Sequence, residues 1–304
     1  MRLLPLAAVL VVGFVVVVLG TDDDARDRGL RPIAGGSFEA SGVAHVPGTD
    51  GLLFVDDQET REIFWMELAS DGTQRSPAQP VPLGADVTDP EGITTNGSHF
   101  FVVGSQSKSR GFDGDGLVRF RFEPDRRRAR EVESVRDLKG FLAEHVAELH
   151  GTARKIGDEV LNIEGLAWDE RGERLLLGLR APVVDGQALI VPLRMRDPSL
   201  PFARENLQVD QRGAIRLPLG GVGVRSLEYD ERSGAYRVIT GAVPDPETED
   251  FRLLEWHGDS GASNLRELAT FSRKLKPEGI TRAVIGGRDV SVLVFDTSQF
   301  LLMD

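Results

Sequence analysis

Acidic residues recur before glycine at corresponding places along the chain, and their chemistry is proton transfer or cation binding. Glu91, Glu164 and Glu278 each precede a glycine that a β-forming residue follows. Ser41 and Arg225 stand at the same point of two further copies of this phrase. Carboxylates forced together in a confined, partly dry site repel, so one must take up a proton or a cation must neutralise them. A fold that arranges the five copies around one axis would bring these residues together.

Each copy begins a strand and is followed by further apolar segments. Turn-rich sequence separates the first strand from the second, which predicts an antiparallel hairpin in every copy. Second strands are predicted at residues 52–55, 100–103, 175–177, 236–239 and 290–295. Third strands are predicted at residues 63–68, 117–122, 188–193, 251–256 and 300–302. A weaker fourth strand is predicted at residues 81–83, 132–135, 214–217 and 265–271.

Four strands per copy are typical of a β-propeller blade. The predicted fold is therefore all-β, a β-propeller of five or six four-stranded blades with one short inserted helix. The longest insertion contains the helix, because apolar residues recur at helical spacing within residues 137–150. The last copy lacks a fourth strand. We predict that residues 33–38 supply it and close the ring, which protects the sheet edges.

The N-terminal sequence predicts export. Residues 3–19 form an apolar run after Arg2, and acidic residues follow it. Residues 1–20 are therefore a signal peptide or an N-terminal membrane anchor, residues 21–36 a polar tether, and residues 37–304 the propeller domain. The expected location is the periplasm, the medium or the outer side of the cytoplasmic membrane. A formal charge of −12 excludes a nucleic-acid partner along most of the surface.

One mouth of the central channel should collect the polar residues. The first strand lies nearest the axis, and its start neighbours the end of the second strand. Oxygen-only ligands suit calcium, and the chain has no Cys to favour a softer metal. We predict that a divalent cation, calcium in the first place, or a cationic group of a substrate is held by Glu91, Glu164, Glu278, Asp56 and Asp296.

The same residues allow other interpretations. The Glu-Gly pair is equally consistent with a turn device, in which the carboxylate accepts backbone N–H groups of the adjacent blade and Gly permits close approach. Arg180 and Arg225 either bind a carboxylate or phosphate in bidentate fashion or pair with carboxylates of the ring. The predicted ligand-binding set is Arg180, Arg225, Gln106, Ser41 and Asp57.

Several phrases resemble a known bacterial family. They are Leu161-Asn162-Ile163-Glu164-Gly165-Leu166, Gly178-Leu179-Arg180-Ala181-Pro182 and Ala188-Leu189-Ile190-Val191, with Asp89-Pro90-Glu91-Gly92-Ile93 upstream. Members of this domain-of-unknown-function family look like β-propellers distantly similar to the esterase-like domain associated with phytases. The resemblance covers roughly residue 38 to the end and implies the fold, with no reaction attached. A weaker similarity is to calcium-dependent lactonase propellers, whose metal is held by a Glu before Gly-Pro; here Ile or Leu follows the Gly.

Three functions are consistent with this sequence. The first is binding of a small polar or anionic ligand at the channel mouth, with a divalent cation taking part. The second is metal-assisted hydrolysis of an ester, lactone or phosphoester, with Glu164, Glu278 and Arg180 as catalytic candidates and one glutamate as the general base. The third is a scaffold that uses the rim for protein partners. Residues 3–19 predict tethering to a membrane.

Overall fold

The protein is a ring of five antiparallel blades. The structure, a computed structural model, describes residues 29–108, 114–244, 250–258 and 264–304. In each blade the strands pair in chain order from the axis outward, and the chain then passes to the next blade. Five blades, and not six, are formed by the described residues, and the predicted second and third strands are confirmed in all five.

The blades share one plan. The first contains β2 (Ala40–His45), β3 (Gly51–Asp56), β4 (Glu62–Glu67) and β5 (Gln79–Pro82). The second contains β6 (Pro90–Thr95), β7 (Phe100–Gly104), β8 (Asp115–Glu123) and β9 (Arg128–Arg136). The third contains β10 (Asn162–Asp169), β11 (Arg174–Ala181), β12 (Ala188–Met195), β13 (Leu207–Val209) and β14 (Ile215–Leu217). The fourth contains β15 (Gly223–Asp230), β16 (Ala235–Gly241), β17 (Phe251–Trp256) and β18 (Leu265–Phe271).

The fifth blade joins the two ends of the chain. It contains β19 (Pro277–Ile285), β20 (Arg288–Phe295), β21 (Gln299–Met303) and β1 (Arg31–Pro32), with β1 paired to β21. The predicted closure by the N-terminal segment is confirmed, and the backbone N–H of Ile33, where the predicted segment begins, also donates to the carbonyl oxygen of Ser298. The strand lies just before residues 33–38 and within the predicted tether, because Gly35 has a φ of +118° that turns the chain away. Ile33 and Phe38 are buried in the core instead.

The core lies between the blades. Five clusters of buried apolar side chains each join residues of two neighbouring blades, so every blade is held on both faces. Val55 of the first blade and Val102 of the second share one cluster, and Leu293 of the fifth shares another with Ile239 of the fourth. Phe54 of the first blade and Val294 of the fifth complete the circle. Burial of these alternating apolar residues is the main force that holds the ring.

The inserted helix is shorter than the predicted segment. Helix α1 (Leu138–His145) begins after Asp137, whose carboxylate accepts the backbone N–H of Gly140 as an N-cap. A 3₁₀ turn, Ala147–Leu149, follows it. The apolar residues that predicted the helix are all buried: Leu138, Phe141, Leu142, Val146 and Leu149. They pack in the cluster between the second and third blades.

The third blade departs from the four-strand plan at its outer edge. Two short strands, β13 and β14, pair with different parts of β12. The sequence predicted β14 and missed β13. A turn that ends at Gly213, whose φ is +72°, separates the two.

The predicted export segment lies in residues 1–28, outside the described part of the chain. Within the described ranges, no helix has the length and apolar character needed to cross a lipid bilayer.

Candidate functional site

The repeated phrase forms the same backbone feature in all five blades. At this point the first strand has one residue more than the second strand can pair with; Ala40 faces Asp56, for example, and Gly42 faces Val55. A β-bulge of this kind leaves one residue unpaired and redirects its side chain. The bulged residues are Ser41, Glu91, Glu164, Arg225 and Glu278. The recurring polar residue is therefore the one that each bulge turns out of the sheet.

The glycine after the bulge allows neighbouring blades to approach. A Cβ on Gly42 would lie 2.8 Å from the carbonyl oxygen of Glu91, and a Cβ on Gly279 would lie 2.9 Å from the Cα of Gly42. The close-approach half of the turn-device interpretation is confirmed. Its other half is wrong for Glu164 and Glu278, because these carboxylates accept hydrogen bonds from side chains instead of backbone N–H groups.

The bulged residues surround a pocket of about 210 Å³ at one end of the axis, here called the axial pocket. Strand-one starts and strand-two ends meet there, as the sequence predicted. The lining residues are Glu39, Ser41, Asp57, Glu91, Glu164, Arg180, Arg225, Lys276, Glu278 and Asp296. The structure thus brings together eight of the ten residues predicted for the site.

Two predicted site residues lie elsewhere. The Asp56 side chain turns back to its own loop, where it accepts the backbone N–H of Gln58 at 3.0 Å. The side-chain amide of Gln106 donates to the carbonyl oxygens of Gly104 and Gly116, and the backbone carbonyl of Gln106 accepts from the buried ammonium of Lys139. Neither residue lines the pocket, because each side chain hydrogen-bonds backbone groups of its own loop. Their roles in binding stay predictions.

Arg225 and Glu278 form a buried bidentate ion pair. The guanidinium Nε donates to Glu278 Oε2 at 2.5 Å, and a second nitrogen donates to Oε1. Both side chains are more than nine-tenths buried. The guanidinium also lies 5.0 Å from the centre of the Phe251 ring, a cation–π arrangement.

Arg180 and Glu164 form a second pair. Arg180 has its own bulge in β11, and a single residue pair, Ile163 with Leu179, separates it from the bulge at Glu164. Its guanidinium donates to Glu164 Oε1 at 2.7 Å and to the carbonyl oxygen of Ala242 at 2.7 Å. The interpretation in which both arginines pair with carboxylates of the ring is therefore confirmed. Glu164 Oε2 is buried and has no hydrogen-bond partner among the described residues, and the same is true of Asn162 Oδ1 beside it.

The other carboxyls of the pocket differ in their partners. Asp296 is neutralised by Lys276 at 2.5 Å. Gln58, by contrast, is an uncharged bridge that donates to Glu39 and Asp57. Glu91, about 9% exposed, has no side-chain hydrogen bond within the described ranges.

Asp57, Asp89 and Glu91 form an acidic cluster in which one oxygen of each carboxyl lies within 4.8 Å of one oxygen of the other two. Burial, followed by the neighbouring charge of Glu39, raises the pKa of Asp57 to about 7. Burial and the charges of Glu164, Asp89 and Asp57 raise the pKa of Glu91 well above its ordinary value. Asp89 itself accepts from Lys108 at 2.6 Å and from the Ser105 hydroxyl at 2.5 Å.

The sequence predictions missed Glu39, Asp89, Lys108 and Lys276. Asp89 and Lys276 each precede a proline that enters a first strand, and both have positive φ, at 55° and 46°. A charged residue two residues before the bulge was a detectable signal, since it recurs in three blades as Glu39, Asp89 and Lys276. Lys108 lies in a loop, where no repeat indicates a common location.

Comparisons with solved structures reflect the fold. The PQQ domain of pyranose dehydrogenase from Coprinopsis cinerea has 10% sequence identity and a TM-score of 0.50, over 90% of this chain and 95% of that one. The soluble aldose sugar dehydrogenase of Escherichia coli has 10% identity and a TM-score of 0.43, over 90% and 97%. A gluconolactonase from Xanthomonas campestris has 10% identity and a TM-score of 0.44, over 90% and 89%.

No curated protein matches the sequence. A family model does match, over residues 131–295, and its description is protein of unknown function, DUF3616. The match covers the third and fourth blades and most of the fifth, and it includes the Asn-Ile-Glu-Gly and Gly-Leu-Arg-Ala-Pro phrases on which the sequence resemblance rested. More than half of the chain is matched, so this protein belongs to the DUF3616 family.

Proposed function

We propose that the axial pocket binds a divalent cation, for which calcium is the best match, and that the cation helps to hold a small polar or anionic ligand. The observation that carries this proposal is the Glu91 carboxyl. It is buried, has no hydrogen-bond partner in the described part of the chain, and has an oxygen within 4.8 Å of an oxygen of Asp57 and of Asp89.

The charge balance of the pocket supports a cation. Six carboxyls and three cationic side chains line it. The three cations pair with Glu164, Glu278 and Asp296, and Glu39, Asp57 and Glu91 remain. An added anion alone would meet arginines that are already neutralised. An acidic group of a ligand is better recognised by a cation that the acidic cluster of Asp57, Asp89 and Glu91 holds.

The distances also fit. Calcium takes oxygen ligands at about 2.3–2.6 Å, so two oxygens on opposite sides of the ion lie about 5 Å apart. The oxygens of the acidic cluster fall within that limit. The unpartnered Glu164 Oε2 is an independent sign that the pocket receives a ligand, because a buried carboxylate oxygen without a donor is costly.

Export is part of the proposal, as the N-terminal sequence predicts. Extracellular calcium modules bind with dissociation constants of about 10⁻⁴–10⁻³ M. A site of two or three carboxyls that can still exchange a proton is consistent with that range.

Glu164 supports a second candidate, hydrolysis of an ester, lactone or phosphoester. Its Oε2 is free to accept a proton from a water molecule, and Arg180 fixes the orientation of the carboxylate through Oε1. A bound cation would polarise the scissile oxygen. Turnover of model esters, lactones and phosphomonoesters that needs calcium and is lost in Glu164→Gln would establish it; turnover that Glu164→Gln retains would exclude this role of Glu164.

The cation proposal is tested by melting the protein in EDTA and then with added calcium. Binding to the folded state alone stabilises it by about 2.7 kcal/mol at a calcium concentration 100 times the dissociation constant. Glu91→Gln should abolish the shift and still fold, because Gln resembles the protonated acid. Glu59→Gln, an exposed residue of the loop after β3, is the matched control and should keep the shift. Equal melting temperatures in EDTA and calcium would refute the proposal.

A further inference from the structure

A second and larger cavity lies at the other end of the axis. It has a volume of about 1060 Å³ and is called here the far cavity. The ends of the five first strands line it, with His45, Thr95, Trp168, Tyr229 and Arg282 as one residue from each blade. Because these strands start at the axial pocket, the two sites occupy opposite ends of the same five strands.

The floor of the far cavity is formed at equivalent positions, two residues after the glycine of a repeat or after Ser226. Thr94, Glu228 and Thr281 occupy this position in three blades and line the cavity. In the other two blades the position is Ala44 or Ala167, which are buried in the core between blades. Where the side chain has an oxygen, that oxygen accepts a backbone N–H of the next blade. Thr94 accepts from Trp168, Glu228 from Arg282 and Thr281 from His45.

Glu228 is the exception in this ring of small residues. Its Oε1 also accepts the hydroxyl of Thr281 at 3.1 Å, whereas Oε2 has no partner in the described ranges. Burial raises the pKa of Glu228 to about 8, so the carboxyl is mostly protonated at neutral pH. Burial lowers the pKa of the nearby His45, which is then mostly an uncharged imidazole. The floor therefore offers neutral donors and acceptors.

The wall combines flat rings with charged side chains; its two arginines are paired, whereas Glu170 and Glu231 have no ion pair in the described ranges. The Trp168 ring stacks on the Phe101 ring with their centres 5.8 Å apart, and its indole N–H donates a hydrogen bond to the Glu170 carboxylate. These two contacts fix the orientation of the Trp168 side chain. Tyr229 is held against Tyr236 at 5.1 Å. At the rim, Arg232 and Arg282 both pair with Asp289. A charged ligand would find no unpaired opposite charge on the floor, whereas a ring with an apolar face and several hydroxyl groups would match both surfaces.

We propose that the far cavity binds a neutral polyhydroxylated ring, of the chemical class of a mono- or disaccharide. Trp168 and Tyr229 would pack against the apolar C–H face of the ring, and Glu228 would form hydrogen bonds with its hydroxyl groups. The volume is ample, since small-molecule sites are about 300–1,000 Å³. This site is separate from the axial pocket and does not depend on the cation.

The test is a titration with methyl glucoside, maltose and inositol, followed by tryptophan fluorescence and calorimetry. Trp65 and Trp256 are buried, so a saturable fluorescence change reports on Trp168. Glucosamine and gluconate are the charged controls and should bind more weakly. The experiment is run in calcium and in EDTA, and the affinity should be equal in both.

Variants then locate the binding. Trp168→Ala should weaken it by about tenfold, the value of one aromatic contact. Glu228→Gln should keep it, because an amide replaces a neutral carboxyl, and Glu228→Ala should weaken it. Ala already occupies the equivalent positions 44 and 167, so that variant should fold. No saturable change with any neutral probe, or equal affinity of Glu228→Ala and the wild type, would overturn the proposal.

Discussion

The two ends of the axis use the same strands in opposite ways. At the axial pocket, a bulge in each first strand turns one residue out of the sheet, and four of the five are charged. Three residues later the ladder is regular, and four of the five positions have Ala or Thr. The axial pocket therefore contains ion pairs together with carboxyls that have no cationic partner, whereas the floor of the far cavity is neutral. A change from bulge to regular pairing separates the two.

The largest expected effect is at the buried ion pair. Arg225→Met leaves Glu278 buried without a partner, which should lower the free energy of unfolding by about 3–5 kcal/mol. Denaturant unfolding measures it. The double variant Arg225→Met/Glu278→Leu is the control and should recover most of the loss, because no charge is left behind. A single variant as stable as the wild type would contradict the buried pairing.

The glycines that directly follow the bulged residues, such as Gly42, should be the next most sensitive positions. Gly42→Ala places a Cβ 2.8 Å from the Glu91 carbonyl oxygen and should cost about 1–3 kcal/mol, as overpacking does. Denaturant unfolding measures the loss. A Gly42→Ala protein as stable as the wild type would show that the blades do not approach closely there.

The pH dependence of stability should distinguish the two ends. Both Asp57 and Glu228 have a pKa raised in the folded state, so the folded protein holds more protons than the unfolded chain and stability falls as pH rises. The window is about pH 4 to 7 for Asp57 and about 4.5 to 8 for Glu228. Asp57→Asn should reduce the loss of stability with rising pH between about pH 4 and 7, and Glu228→Gln should reduce it between about 4.5 and 8. Added calcium should reduce only the pH dependence that is due to Asp57. A calcium effect on the Glu228 part would contradict two independent sites.

The smallest expected effect is that of Glu228→Gln at pH 6. The amide keeps an acceptor for the Thr281 hydroxyl and for the backbone N–H of Arg282, so stability should change by no more than about 0.5 kcal/mol. Thermal unfolding at that pH measures it. A large loss would mean that Glu228 is ionised in the folded state.

The architecture could be predicted from sequence because it repeats. Hairpin turns and alternating apolar residues recur in every copy, and eight of ten site residues followed from the geometry of a blade. The differences from prediction are local. Gly35, with its positive φ, follows the short closing strand, and the side chains of Asp56 and Gln106 form hydrogen bonds within their own loops. Side-chain direction at such loops depends on one or two backbone hydrogen bonds, which no repeat pattern encodes.

The bulges themselves were also missed, although they explain the motif. A strand with one extra residue has the same composition as one without, so the sequence indicated a turn device instead. The far cavity had no signal either, because Ala, Thr and Glu at equivalent positions share no chemistry. The signal in the structure is that Thr94, Glu228 and Thr281 each accept a backbone N–H of the next blade and line the same cavity.

Calcium titration by calorimetry in two buffers of different ionisation enthalpy tests the central claim most directly. The account predicts binding at neutral pH with release of protons, because Asp57 and Glu91 must ionise to coordinate the ion. It also predicts that Glu91→Gln loses the binding and the proton release together. Calcium binding with no proton release, or binding that Glu91→Gln leaves unchanged, would contradict it.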